Sequence, residues 1–172
     1  GMNMAGITNA YAMLGYNSSL TNIEGSDDWT FPNLTDVSYM FEKDHALKQL
    51  NATNWGLSNV QKATGMFMDC KALETIVGSG EWSLNNVTDL QWMFQNSNTL
   101  KSIDVTSWNM SNCVRVDGMF LNCSVLETVE GTENWDTGNI ESMYAMFYYN
   151  HKLKDVDVST WNTAKNTNLS QM

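Results

Sequence analysis

The chain has 172 residues, of which 42% are hydrophobic, and a formal net charge of −10. This composition is sufficient for one folded domain, and an aromatic content of 11% argues against a disordered chain. The acidic balance disfavours nucleic acids and anionic membrane surfaces as partners, because both require a basic footprint. The sequence has no apolar run for membrane insertion and no visible signal peptide. Gly1 before Met2 is typical of a cloning remnant, so an export signal could have been removed.

Two markers recur along the chain at alternating steps of 26 and 27 residues. The tryptophans are Trp29, Trp55, Trp82, Trp108, Trp135 and Trp161. A Met-Phe pair follows each of the first five, with methionines Met40, Met66, Met93, Met119 and Met146. A fixed period of this size predicts a solenoid, in which each repeat is one structural unit stacked on the last. We therefore predict that residues 1–172 form a single solenoid domain of about six coils, as part of a longer array, with these Trp and Met residues as its structural repeat.

Within one coil, the segment between Trp and Met predicts a short helix. Asn86-Val87 with Leu90 shows the pattern, in which apolar residues three apart follow a polar residue that could cap the helix. The segment 102–106 then alternates polar and apolar residues, which predicts a strand with Ile103 and Val105 inside. We expect successive strands to pair in a parallel sheet, with each Trp near its counterpart one coil away. The predicted fold class is therefore α/β, a leucine-rich-repeat-like solenoid with one parallel strand and one short helix or helical turn per coil.

The segment between Met and the next Trp alternates between two lengths. The short form is seen in Leu100-x-x-Ile103, and the long form, seen in Leu73-x-x-Ile76, carries one extra residue and a glycine, Gly78. Glycine beside a strand predicts a bulge or a looser corner in every second coil. The alternation favours a two-coil unit of 53 residues.

No motif with catalytic specificity is present, whether a phosphate-binding Gly-rich loop, GxSxG or HExxH. We therefore predict a protein that is not an enzyme and has no cofactor. The three cysteines, Cys70, Cys113 and Cys123, are interpreted as small buried residues. Cys70 and Cys123 share one repeat position two coils apart, roughly 10 Å for strands that rise ~4.8 Å each, which is too far for a disulfide.

Two sets of residues are candidates for ligand binding. The first is acidic and lies on the outward strand face, with Asp104, Asp155 and Asp157. A weak calcium site is conceivable there, whereas the alternative is a set of solvated carboxylates. The second set is aromatic and departs from the repeat, with Trp92 and the pair Tyr148-Tyr149. These residues are candidates for contact with a partner, and the alternative is local packing against a neighbouring coil.

The repeat also resembles a known family. The segments that carry this resemblance are Met119-Phe120-Leu121-Asn122-Cys123-x-x-Leu126 and Val156-Asp157-Val158-Ser159-Thr160-Trp161-Asn162-Thr163. They resemble the Mycoplasma-lipoprotein-type surface repeat, which is grouped with BspA-like leucine-rich-repeat surface proteins of bacteria. The resemblance covers essentially the whole chain. It implies an extracellular or cell-surface location and a role in adhesion or host contact, and it offers no catalytic residues.

These observations favour a surface-displayed binding or adhesion module that recognises a protein or a glycan of a host or neighbouring cell. The alternative is a structural spacer or stalk that holds another domain away from the cell. The last coil stops at Met172 without a polar cap. We therefore expect either that more repeats follow or that the ends pair between molecules.

Overall fold

The computed structural model describes residues 4–172, and residues 1–3, which include the Gly1-Met2 pair, lie outside this range. The regular elements are short. The strands are β1 (Gln49–Asn51), β2 (Thr75–Val77), β3 (Ser102–Asp104) and β4 (Thr128–Glu130). Three 3₁₀ turns, η1 (Ser26–Asp28), η2 (Ser79–Glu81) and η3 (Thr132–Asn134), complete the set.

The predicted α/β leucine-rich-repeat-like solenoid is wrong. Residues 4–172 contain no α-helix, and their four strands form two separate two-stranded parallel sheets. Where a helix was predicted before Met93, the chain makes a turn and then an isolated parallel bridge at Asp89, which pairs with both neighbouring repeats. Leu90 N–H donates to the carbonyl of Arg115 in the next repeat (3.0 Å) instead of to its own turn. Trp92 then adopts a left-handed conformation (φ 55°), which a right-handed helix cannot include.

The predicted helix caps have another role. The asparagine that precedes each apolar start donates its side-chain N–H to a backbone carbonyl of the preceding repeat. These bonds run from Asn33 to Ala5, Asn59 to Pro32, Asn86 to Ser58, Asn112 to Asn85 and Asn139 to Ser111. We call this series the asparagine ladder. It joins repeat to repeat through side-chain amides, outside any helix.

Strand pairing follows the 53-residue unit. β1 pairs with β2 in the register Leu50↔Ile76, and β3 pairs with β4 in the register Ile103↔Val129, so each short repeat pairs with the long repeat that follows it. In the described chain, β2 and β3 share no sheet, so the predicted continuous pairing of strands is also wrong. The predicted alternation is confirmed within β3, where Ile103 is buried between exposed neighbours.

The glycine of the long repeat explains this pairing. Gly78 and Gly131 both have positive φ (84° and 99°), and each precedes a 3₁₀ turn, so the glycine forms a corner. A Cβ on Gly78 would lie 2.4 Å from the Cα of Thr53, and a Cβ on Gly131 would lie 2.4 Å from the Cα of Thr106. The long repeat therefore fits closely against the preceding short repeat, whereas β2 and the β3 of the following repeat share no sheet.

Two columns of stacked rings run through the core, among buried methionine and aliphatic side chains. Consecutive tryptophans from Trp29 to Trp161 have ring centroids 5.7 to 6.5 Å apart and nearly parallel planes. A second column runs from Phe41 to Phe147, with spacings of 5.2 to 5.5 Å. The indole N–H of Trp108 also donates to the carbonyl of Ser79 in the preceding repeat (2.7 Å). Each repeat thus buries its rings against the next, which one repeat could not do alone.

Candidate binding surface

The exposed aromatic residues share one edge of the molecule. Each repeat turns at its Met-Phe pair between two residues with positive φ four positions apart, such as Trp92 (55°) and Asn96 (61°). We call the row of these turns the aromatic edge. Within residues 4–172, the exposed aromatic side chains lie in these turns or directly before them, namely Tyr11, Tyr16, Trp92, Tyr144 and Tyr149.

Trp92 both packs against its neighbour and remains accessible. Its ring covers Gly118 of the next repeat, where an added Cβ would lie 2.7 Å from Trp92 Cδ1. Tyr39 covers Gly65 in the same way, with Cε1 at 2.6 Å from such a Cβ. Trp92 is nevertheless 37% exposed. Trp92 therefore packs against the next repeat and is still available for contact with a partner. The sequence signal for this arrangement is an aromatic residue followed by a glycine 26 residues later.

Tyr148 and Tyr149 form a second cluster on the aromatic edge, two repeats after Trp92. Their ring centroids lie 4.1 Å apart, and Tyr149 makes an edge contact with His151 at 5.9 Å. The hydrogen bond with Tyr149 raises the pKa of the Tyr148 hydroxyl, so this phenol stays protonated in the physiological range. Among the described residues, no ring contact joins Tyr148 or Tyr149 to Trp92.

A row of polar side chains lies on the same edge, from the repeat before Trp92 to the repeat before Tyr149. Asn96 donates to Asp69 Oδ1 (2.8 Å), and Asn122 donates to Asn96 Oδ1 (2.9 Å). Asp69, Asn96 and Asn122 are each the second positive-φ residue of the Met-Phe turn in three consecutive repeats. Tyr149 is the equivalent residue in the repeat that follows. Sequence reasoning missed this row, although its spacing of 26 and 27 residues could have indicated it. Carboxamides supply both donors and acceptors to a ligand.

The edge carries a third cluster near the beginning of the described chain, also missed from the sequence. Lys43 Nζ lies 4.6 Å from the centroid of the Tyr16 ring and 3.2 Å from its hydroxyl. Tyr16 in turn donates to Glu42 Oε1 (3.2 Å). Hydrogen bonds with Tyr16 and Glu42 raise the pKa of the Lys43 ammonium, so it is positively charged at neutral pH.

The acidic candidates lie elsewhere, on the strand side of the repeats. Asp104 Oδ1 accepts hydrogen bonds from the N–H (2.9 Å) and hydroxyl (2.6 Å) of Thr106, and Asp157 Oδ1 accepts the N–H of Ser159 (2.9 Å). The bonds from Ser159 lower the pKa of Asp157. Both carboxylates therefore stabilise the turn that follows the strand position of a short repeat.

The structure keeps these carboxylates apart from the aromatic edge. Asp104 lines a cleft of ≈520 Å³ between β2 and β3, together with Glu81. Asp155 forms an isolated parallel bridge with Thr128. In residues 4–172 no group of three His, Cys, Asp or Glu side chains could hold a metal ion.

The three cysteines are free and buried, as predicted. Burial raises the pKa of the thiols of Cys113 and Cys123 to about 12, and that of Cys70 above the usual range. Thiols in this state are poor nucleophiles and poor metal ligands, because both roles require the thiolate.

Within the described residues, no helix is long and apolar enough to cross a membrane.

Comparisons with known proteins identify a family. Neither a curated protein nor a solved structure matches the chain. A family described as "Mycoplasma protein of unknown function, DUF285" matches residues 3–130 and again residues 88–172. These two overlapping matches cover nearly the whole sequence, and the chain therefore belongs to this Mycoplasma family, DUF285.

Proposed function

We propose that this chain is a non-enzymatic binding or adhesion module, displayed at the cell surface or outside the cell, that recognises a protein or a glycan through the aromatic edge. The observation that carries the proposal is the gathering of exposed Tyr and Trp side chains on that one edge. Aromatic residues are enriched among the energetically important residues of binding surfaces, because a rigid ring contributes large contact area.

The core does not account for these aromatic side chains. The rings of Trp82 and Trp108 are buried in the columns, whereas Trp92 covers only a glycine of the next repeat. The edge combines Tyr, Trp, Asn and Gly, a composition that also serves in antibody binding loops. Its aromatic rings supply contact area, and the Asn96–Asn122 row supplies adaptable hydrogen bonds.

The resemblance to BspA-like surface proteins supports the proposed location and an adhesive role, with a host or neighbouring-cell molecule as partner. The net charge of −10 supports a partner that is not a nucleic acid. The resemblance offers no catalytic residues, and we propose no catalytic role for the edge.

A binding screen with matched variants tests the proposal. The immobilised protein is exposed to a panel of matrix proteins and glycans, and each hit is measured again with Trp92→Ala and Tyr149→Ala. Val77→Ala is the control, because Val77 is 53% exposed and lies on the strand side. We expect the edge variants to weaken binding at least about tenfold and the control to leave it unchanged. Binding that depends on Val77 and ignores both edge residues would refute the assignment.

A spacer or stalk is the second candidate, and the asparagine ladder favours it. The ladder and the two ring columns connect every repeat to the next, as an extended support requires. A spacer tolerates replacement of its outward side chains. If no ligand appears across the panel, and if Trp92→Ala leaves adhesion of the intact cell unchanged, the spacer is the better description.

End-to-end self-association is a separate proposal. Apolar side chains surround a cavity of ≈590 Å³ beside Leu20 and Trp29, and others lie around Leu153 and Val158 near the opposite end of the stack. Light scattering over a hundredfold concentration range measures it. We expect the mean mass to rise with concentration, and a constant monomer mass would contradict the pairing.

A further inference from the structure

One repeat position, three residues after the phenylalanine of each Met-Phe turn, is fully buried in the four repeats that hold Asp44, Cys70, Ser97 and Cys123. In three repeats its side chain is fully buried and donates a hydrogen bond to the phenylalanine carbonyl of the preceding repeat. These bonds run from Cys70 to Phe41, from Ser97 to Phe67 and from Cys123 to Phe94, each at 3.0 Å. The other occupants are Asn17, Asp44 and Asn150. Every occupant except Asp44 has a neutral side chain.

Asp44 is in the environment that a neutral group requires. Its side chain is 0% exposed. Oδ1 accepts the backbone N–H of Asn17 (2.8 Å), whereas the buried Oδ2 has no hydrogen-bond partner. Asn150 has the same arrangement, with Oδ1 accepting the N–H of Cys123 (2.8 Å) and a buried Nδ2. An ionised carboxylate in this position would be a buried charge that has only one hydrogen bond.

The groups around Asp44 do not compensate a negative charge. Lys43, which adjoins Asp44 in the sequence, binds Glu42 and the hydroxyl of Tyr16 instead. Burial is the main influence on Asp44 and raises its pKa from 3.8 to about 7, and the N–H of Asn17 opposes this rise. The charged and titratable groups nearest to it, from its own turn and both neighbouring repeats, are Tyr16, Glu42, Lys43, His45, Asp69 and Cys70.

We propose that Asp44 is a built-in pH sensor, protonated in the folded protein below neutral pH, whose ionisation loosens the contact between the repeat of Asn17 and its own. The unfolded chain ionises this carboxyl near its ordinary pKa, whereas the folded chain retains the proton until near neutrality. The folded state therefore binds more protons between about pH 4 and pH 7, and its stability decreases as the pH rises through that range. The sensor belongs to the fold and does not require the proposed binding function. It lies beside Tyr16 and Lys43, so the same ionisation would act on that part of the aromatic edge.

Thermal unfolding of wild type and Asp44→Asn from pH 4 to pH 9 tests the sensor. Asparagine is the native residue at the equivalent position 150, so the variant represents the permanently neutral form. We expect the two proteins to be similar at pH 4 and the variant to be more stable at pH 8, with an unfolding constant lower by up to about 10³-fold. Asp28→Asn is the control, since Asp28 is exposed and its removal changes the charge equally. A difference between wild type and Asp44→Asn that stays constant with pH would overturn the proposal.

An infrared measurement reads the protonation directly on the folded protein. The carbonyl band of a protonated carboxylic acid should be present in wild type at pH 6, absent at pH 9, and absent at pH 6 in Asp44→Asn. If Asp44→Asn fails to fold, Asp44→Ser provides the same comparison, because serine occupies the equivalent position 97. A wild type without the acid band at pH 6 would show that Asp44 is ionised and would refute the sensor. Neither measurement involves a ligand, so failure of the binding proposal leaves this test intact.

Discussion

Alanine at Gly78 should destabilise the protein through two separable effects. The first is conformational, because φ at Gly78 is 84° and a residue with a Cβ is disfavoured there. The second is steric, because the new Cβ would lie 2.4 Å from the Cα and 2.7 Å from the N of Thr53, and both are backbone atoms. Gly25 occupies the equivalent position in an earlier long repeat and has φ 73°. A Cβ added to Gly25 would have no neighbouring heavy atom within 4 Å. Gly25→Ala is therefore a matched control that carries the conformational effect alone.

The expected magnitudes follow from these contacts. A left-handed conformation costs an L-residue about 1–2 kcal/mol, so Gly25→Ala should lower the free energy of unfolding by roughly that amount. Forcing a methyl group into a closely packed contact adds about 1–3 kcal/mol, which gives roughly 2–5 kcal/mol for Gly78→Ala. Gly131→Ala should resemble Gly78→Ala, because its Cβ would lie 2.4 Å from the Cα of Thr106.

Denaturant titration and thermal melting measure these differences. In a protein of this size, each kcal/mol shifts the melting temperature by about 2–4 °C, so the two classes of variant are distinguishable. If Gly78→Ala and Gly131→Ala both cost no more than Gly25→Ala, the close contact between long and short repeats is not what positions the strands. The explanation of the paired sheets would then be wrong.

Other substitutions test the stack and its chemistry. Trp82→Ala should lower the free energy of unfolding in denaturant titrations by about 3–5 kcal/mol, because the Trp82 ring is buried between two other rings. Trp92→Ala on the edge should lower it by less than about 1 kcal/mol. In the same assay Asn86→Ala should lower the free energy of unfolding by about 0.5–1.5 kcal/mol, because the hydrogen bond from Asn86 to a backbone carbonyl is lost. An unchanged stability would contradict a structural role for the asparagine ladder. Burial raises the pKa of Cys123 to about 12, so iodoacetamide at pH 8 should label it only after unfolding, as mass spectrometry can show. Deletion of residues 79–131, one two-repeat unit, should preserve cooperative melting better than deletion of residues 56–82, a single repeat.

The sequence predicted contacts between repeats better than structure within a repeat. Even spacing identified which rings meet, because residues at one repeat position lie side by side when repeats stack. The helix before Met93 was wrong because apolar residues three apart occur in a chain of tight turns as well as in a helix. Positive φ at Trp92 is the conformation that excludes the helix, and it has no clear sequence signal. The side chain at that position disfavours positive φ, and the hydrogen bonds to the next repeat maintain it.

The candidate surface was predicted only in part, for a similar reason. Trp92 and Tyr149 were noticeable as departures from the repeat, whereas Asn96 and Asn122 resemble ordinary polar residues of a turn. Their significance appears only when stacking places them within hydrogen-bond distance. The acidic candidate Asp104 illustrates the opposite case, in which an apparent ligand residue is occupied by its own turn.

Main-chain hydrogen bonds hold the first left-handed position of the aromatic edge in successive repeats. At the first left-handed position of successive repeats, the N–H of Gly65 donates to Gln91 O (2.8 Å), that of Trp92 to Asp117 O (2.9 Å) and that of Gly118 to Tyr144 O (2.7 Å). These main-chain bonds are the same whether the position holds Ala, Tyr, Gly or Trp, so they offset the strain of positive φ for any of them. The stack therefore constrains the backbone at this position whichever of these residues is present, although a glycine follows one repeat after each of Tyr39 and Trp92. A constrained backbone that carries Ala, Tyr, Gly or Trp at one position is what a surface for recognition requires, and it supports the recognition that we propose for this edge.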